Sequence, residues 1–362
     1  MSRKTPVPPR ATAAGPGADV TRARREPIVI GGVSVAPGQH RTVDVPVSPL
    51  YTHDDLSISV QVIHGSQPGP VVFICAAIHG DEINGVEIIR RLLKHRSLKH
   101  VRGTLLAIPI VNVYGFLNHS RYLPDGRDLN RSFPGSDAGS LAARVANTFL
   151  QEIVLKSDFG IDLHTGARHR ANYPQIRADL DMEGARGMTE AFGVPLALDS
   201  KIRDGSLREA AGDAGIPVIL YEAGEALRFE EMYIRAGVSG IVNVLRHLGV
   251  LRRSRRKYPL RPPIVSDQSS WLRAPESGIL STLVPLGAKV VAGQTIGVVA
   301  DPLGTRESPL EATHDGVVIG RTNLPLVYEG DAVFHIARYG RRTDLVERHL
   351  EEFQEHYESQ EP

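Results

Sequence analysis

Val71-Val72-Phe73-Ile74-Cys75-Ala76-Ala77-Ile78-His79-Gly80-Asp81-Glu82 is the stretch on which the reading of this chain turns. Eight apolar residues in a row predict a strand buried on both faces. A glycine then allows a sharp turn, and the run Ile83 to Leu93 has the spacing of an amphipathic helix. A strand that ends in a tight turn into a helix aims His79 and Glu82 at one point, beyond the carboxyl end of the strand. Open α/β sheets bind their ligands there. An imidazole and a carboxylate at this separation can chelate one zinc ion, leaving positions for a third ligand and a water. The pair alone also fits a surface histidine beside a helix-start carboxylate that the helix dipole favours.

Working outward, the N-terminal side reads as short strands at 28–30, 42–45 and 56–63, the last alternating apolar and polar residues. On the C-terminal side, strands are predicted near 103–110, 159–163 and 216–221. Helices are predicted near 83–95, 140–155, 183–193, 206–214 and 227–249. This alternation predicts a mixed or mostly parallel sheet with helices on both faces. Clusters at His79, His164 and Glu222 each follow an apolar strand, so they should converge on one edge of that sheet. Between the strand near 103–110 and the helix from 140 lies a long polar stretch, Asn112 to Asp137. It is rich in arginine, asparagine and glycine and reads as a functional loop.

The bulk numbers narrow the partners. The chain has 362 residues, 41% of them apolar, with 42 basic against 41 acidic side chains and a formal charge of +1. A nucleic-acid or membrane surface as main partner would call for a strong basic excess. The single cysteine, Cys75, sits in the apolar strand and reads as a small buried hydrophobe. A reducing, cytoplasmic compartment fits it. No apolar stretch reaches the ~20 residues of a membrane span. Residues 1–26 read as a disordered tail, 27–250 as the α/β domain, 251–266 as a basic linker and 267–340 as a β domain. Residues 341–362 read as a helical or disordered tail.

Residues 267–340 contain an internal echo. Ser277-Gly278-Ile279-Leu280 parallels Asp315-Gly316-Val317-Val318, and Val291-Ala292-Gly293-Gln294 parallels Tyr328-Glu329-Gly330-Asp331. Two similar halves suggest a small barrel-sandwich like that of biotinyl or lipoyl carriers. The carriers' hairpin lysine has no counterpart in 300–309, so the expected role is structural or pocket-closing.

Taken with the His79 turn, Asp128-Leu129-Asn130-Arg131, Asp162-Leu163-His164-Thr165-Gly166 and Glu222-Ala223-Gly224 occur in a telling order. Over about residues 27–340 the chain resembles the succinylglutamate desuccinylase/aspartoacylase family of zinc carboxypeptidase-like hydrolases. The resemblance implies one zinc per chain, held by His79, Glu82 and His164, with Glu222 as the catalytic base. It implies Arg121 as the group that stabilises the oxyanion, with Arg127 as the alternative. Asn130 and Arg131 would bind a substrate carboxylate, and Asp128 would hold the His79 ring. Asp162 would be a second such group, or cap the strand end. His119 and His169 are further candidates for substrate contact. The implied activity is hydrolysis of a small N-acyl amino acid or N-acyl amine that bears a carboxylate. The alternatives are a metallocarboxypeptidase acting on short acidic peptides or polyglutamate, and a non-catalytic binding protein. Specificity is expected from loops such as 165–182 and 199–206, and oligomeric state stays open.

Overall fold

The computed structural model describes residues 25–49, 52–200, 203–253 and 261–358. Most of the expected N-terminal tail and of the basic linker lies outside these ranges. Arg25 is anchored, donating to Gly65 O at 2.8 Å and Thr104 Oγ1 at 2.6 Å.

A thirteen-stranded mixed sheet organises the molecule. At its centre, Val218–Glu225, Phe159–Gly166, Gln67–Ala76 and Arg102–Ile108 run parallel in that spatial order. Ser57–His64 and then His40–Pro46 extend it antiparallel on one side. The period-two pattern of side chains splits each central strand between two cores. Val72, Ile74 and Ala76 face one layer, packed against Ile88, Phe192, Ile241 and Phe353 from four helices. Phe73 and Cys75 face the other, packed against Val145, Phe149 and Leu207. The continuous apolar run of the opening stretch follows from this double burial.

Gly80 does a different job from the one expected. The left-handed residue in the turn is Ala77, with φ of 51°. Gly80 is needed for room, because a Cβ there would lie 2.0 Å from the Gly115 carbonyl carbon. Gly115 belongs to a short helix, Val113–Leu117, and Leu129–Arg131 forms a 3-10 turn, so the long polar stretch is partly helical.

The expected loop 165–182 is largely a strand. Arg170–Ala178 lies antiparallel to Val218–Glu225 inside the sheet. Pro174 argues against a central strand, since proline cannot donate to the ladder. Here residues 170–172 pair with Gly316–Thr322 and residues 175–178 with Leu196–Asp199. Pro174 falls in the gap between the two partners, and the Val218–Glu225 flank is irregular at the same level.

Through Gly316–Thr322, the C-terminal strands Ala332–Ala337 and Ser269–Arg273 continue the main sheet. A separate four-stranded sheet built on Gly278–Thr282 and Thr295–Ala300 packs its Leu280, Ile296 and Val299 against Val318, Phe334 and Ile336. The chain from 343 to 358 is a helix whose Val346, Leu350, Phe353 and Tyr357 join the first core. Among the described residues, no helix is long and apolar enough to cross a membrane.

Candidate active site

The parallel strands bring the site together by register. Glu222 lies beside His164, and Leu220 beside Asp162, which in turn lies beside Cys75. Alternation puts Asp162 and His164 on one face, and Leu220 and Glu222 on that same face of the next strand. His79 and Glu82 reach the same edge from the turn after Gln67–Ala76.

Glu82, 2% exposed, stands between two imidazoles. Its Oε1 is 2.7 Å from His79 Nδ1 and its Oε2 is 2.7 Å from His164 Nδ1. The outer nitrogens face carboxylates: His164 Nε2 lies 2.8 Å from Asp162 Oδ2, and His79 Nε2 lies 3.3 Å from Asp128 Oδ1. Cys75 Sγ donates to Asp162 Oδ1 at 3.3 Å, and Arg121 holds Asp128 Oδ2 at 2.9 Å. Burial alone would raise the Glu82 carboxyl, but His79 and then His164 hold it far below the usual carboxylate range. Burial opposes charge on His164, yet Asp162 and then Glu82 lift the ring well above an ordinary imidazole. These three side chains offer ligand atoms all within 4.8 Å of one another and could hold a metal ion. The donor set suits zinc: two imidazoles and a carboxylate, with the outer nitrogen of His164 hydrogen-bonded to Asp162, which fixes its tautomer, and that of His79 close to Asp128.

A cavity of about 400 Å³ opens from this cluster. Arg121, Asn130, Arg131 and Glu222 all line it. Arg121 also approaches Glu82 Oε1 at 3.3 Å. Asn130 Oδ1 accepts from Leu207 N at 2.9 Å, which ties the 3-10 turn to the start of the helix Leu207–Asp213. Glu222 is gripped from the neighbouring antiparallel strand: Asn172 Nδ2 donates to Oε1 at 2.5 Å, and Arg177 Nε lies 2.7 Å from Oε2.

Some expected residues lie elsewhere. Arg127 is exposed, pairs with Asp125 Oδ2 at 3.1 Å and does not line the cavity, because its turn points to solvent. The structure therefore does not bring Arg127 to the site. His119 and His169 also stay outside, both held in turns with positive φ. Glu225, at the end of Val218–Glu225, also lies outside the cavity, accepting from His169 N at 3.0 Å and Asn323 Nδ2 at 2.8 Å. Sequence reasoning missed Arg170, Asn172, Arg177, Arg203, Arg208 and Trp271, all of which line the cavity. Arg170, Asn172 and Arg177 lie in a segment read as loop, where alternation gave no signal.

The catalytic-domain model of the succinylglutamate desuccinylase/aspartoacylase family matches residues 68–248. N-alpha-acetyl-L-2,4-diaminobutyric acid deacetylase of Halomonas elongata is 30% identical over 324 residues, 83% of this chain and 91% of that protein. A succinylglutamate desuccinylase/aspartoacylase structure from Rhodobacter sphaeroides shares the fold with a TM-score of 0.73. It is 26% identical and covers 83% of this chain and 96% of its own. The product-bound ectoine utilization protein EutE (DoeB) of Ruegeria pomeroyi has a TM-score of 0.75, with 82% and 94% coverage. At 23% identity it speaks to the fold alone. The chain belongs to the succinylglutamate desuccinylase/aspartoacylase family, hydrolases of carbon–nitrogen bonds in linear amides.

Proposed function

We propose that this chain is a zinc-dependent deacylase of small N-acyl amino acids. The observation that carries the reading is the buried Glu82 between two acid-backed imidazoles, opening on a cavity that also holds Glu222. His79, Glu82 and His164 would hold the ion. Zinc bound there supplies Lewis acidity toward the scissile carbonyl and toward water.

The chain's own groups do the rest. Glu222 takes the proton of the attacking water and returns it to the leaving amine. Asn172 and Arg177 keep its carboxylate aimed across the His164 strand. Arg121 offers its guanidinium to the developing oxyanion. Arg131 receives the substrate carboxylate as a planar fork, and Asn130, whose Oδ1 is already used, adds its amide NH2. A cavity near 400 Å³ is at the small end of ligand pockets, which favours a small amide over an extended peptide. The β segment 267–340, with its paired halves, we read as a barrel-sandwich related to biotinyl and lipoyl folds. It closes the cavity by contributing Trp271.

Metal analysis and turnover of a panel of N-acyl amino acids test this. We expect about one zinc per chain, and Glu222→Gln should keep the zinc while losing about 10²–10⁴-fold in kcat. A wild-type protein that binds no zinc, or a fully active Glu222→Gln variant, would defeat the reading.

A further inference from the structure

The opposite end of the sheet from the catalytic cavity carries a second concentration of charge. Two cavities of about 210 Å³ and 360 Å³ meet there, with Arg102 and Arg252 lining both. Lys99 completes the lysines and arginines of the first, and Arg246 and Arg253 those of the second. Among the described residues, no aspartate or glutamate lines either one. In a chain with 42 basic and 41 acidic side chains, five cations without one acid is a segregation of charge. Among the described residues, no carboxylate lies within 4.0 Å of Lys99, Arg102, Arg252 or Arg253. The dipole of the helix Glu231–His247 accounts for Arg246 in its last turn. It does not account for Arg102, which opens a strand, or for Arg252 and Arg253, which follow the turn beyond the helix.

The backbone that presents these groups is fixed. Arg102 N donates to Val250 O at 2.8 Å, which joins the start of Arg102–Ile108 to the chain leaving the helix. Val250 and Leu251, just before Arg252, are buried, as are Leu98 and Val101 on either side of Lys99. His64, also buried, lines the first cavity with both ring nitrogens engaged, Nδ1 2.8 Å from Thr104 Oγ1 and Nε2 3.0 Å from Glu26 O. A fixed frame confines the ordering cost of binding to the side chains themselves. Gln67, in the same lining, opens the ten-residue strand Gln67–Ala76 that ends just before His79. A strand of that length spans about 30 Å, so a small ligand here cannot reach the His79–Glu82–His164 cluster.

We propose that these joined cavities are a second ligand site, which takes a compact polyphosphate anion. Guanidinium forks match phosphoryl oxygens two at a time, and five neighbouring cations call for an anion of several charges. A single carboxylate would leave most of them repelling one another. Among the described residues, no phenylalanine, tyrosine or tryptophan lines either cavity, so nothing offers a base a stacking plate. That favours the phosphate chain itself over a nucleotide or a nucleic-acid strand. Concave walls favour a small ligand over a flat anionic membrane. The basic run expected to be a linker starts on this wall: Arg252 and Arg253 line it, while Arg255, Arg256 and Lys257 lie outside the described residues. The inference does not depend on the deacylase reading.

The test is calorimetric titration of the full-length chain with trimetaphosphate, a triply charged ring that chelates zinc weakly. Orthophosphate, a duplex DNA and phosphatidylserine vesicles are the comparisons. At low salt trimetaphosphate should bind about tenfold tighter than orthophosphate, and raising the salt should weaken it. The Arg102→Gln/Arg252→Gln protein should lose about tenfold in affinity, and Arg102→Lys/Arg252→Lys should recover most of it. Arg131→Gln, in the catalytic cavity, should leave this binding unchanged. Both substituted side chains are exposed, and if the glutamine pair does not fold, Arg252→Gln alone carries the comparison. A wild type that does not bind trimetaphosphate overturns the site, as does binding that survives the glutamine substitutions. Loss on Arg131→Gln instead assigns the anion to the catalytic cavity and overturns it equally. Duplex or vesicle binding that depends on Arg102 and Arg252, without trimetaphosphate binding, overturns the small-anion assignment.

Discussion

Asp162 and Asp128 take no part in bond breaking in this scheme, yet they decide how the site is presented. An imidazole can face a metal through either ring nitrogen, and a carboxylate on the far nitrogen fixes which one. His164 has a close partner of this kind at 2.8 Å, whereas the one for His79 is longer at 3.3 Å. Asp162→Asn should therefore weaken zinc binding more than Asp128→Asn, by about 10–100-fold against a smaller loss. Competition with a chelating dye measures both, and equal affinities in wild type and Asp162→Asn would remove the argument. At this scale His79, Glu82, His164 and Glu222 were legible because each follows an apolar strand, where a polar residue stands out. Arg170, Arg177 and Trp271 were not, because an arginine or a lone tryptophan in a weak segment carries no mark of what faces it. Arg127, the alternative to Arg121, lies outside the cavity for the converse reason: closeness in sequence to Arg121 does not say which way a turn points.

Among the elements, the strand–turn–helix around His79 was readable almost whole, and its reason for needing glycine was not. The spacing suggests a bend, whereas the structure shows close contact with the helix Val113–Leu117. The clash that a Cβ would make at Gly80 is with backbone, 2.0 Å from the Gly115 carbonyl carbon and 2.2 Å from Phe116 N, so no rotamer can relieve it. Gly80→Ala should cost about 1–3 kcal/mol by overpacking. The displaced turn should also lose zinc, because His79 and Glu82 flank the substituted residue. Urea unfolding with parallel metal analysis checks both, and a variant matching wild type in each would show that the two backbones part easily. The strand Arg170–Ala178 stayed hidden because Pro174 breaks the expected pattern. That proline is tolerated where one flanking partner strand hands over to another, which is a property of the assembled sheet.

For the whole molecule, the joining of the C-terminal strands to the main sheet has a consequence that pH can expose. Ala332–Ala337 places His335 under Trp271, 6% exposed, with its Nδ1 lacking a hydrogen-bond partner among the described residues. Burial is the main cause of its low proton affinity, and Arg177, Arg203 and Arg170 add to it, bringing the group from 6.5 to about 3. Above pH 6.5 the ring is neutral in both the folded and the unfolded chain and contributes no slope. Between pH 6.5 and 3 the unfolded chain takes up a proton that the folded one refuses, so stability falls as pH falls, by up to about 1.4 kcal/mol per unit. His335→Phe keeps a flat ring against Trp271 and removes the titration. From pH 6.5 to 4.5 the variant should gain about 2 kcal/mol relative to wild type, whatever its offset at neutral pH. Denaturant unfolding of the two proteins across that range, at constant ionic strength, gives the comparison. Parallel stability curves would mean that the ring is protonated in the folded state, and that the three arginines lie too far away or too well screened to prevent it.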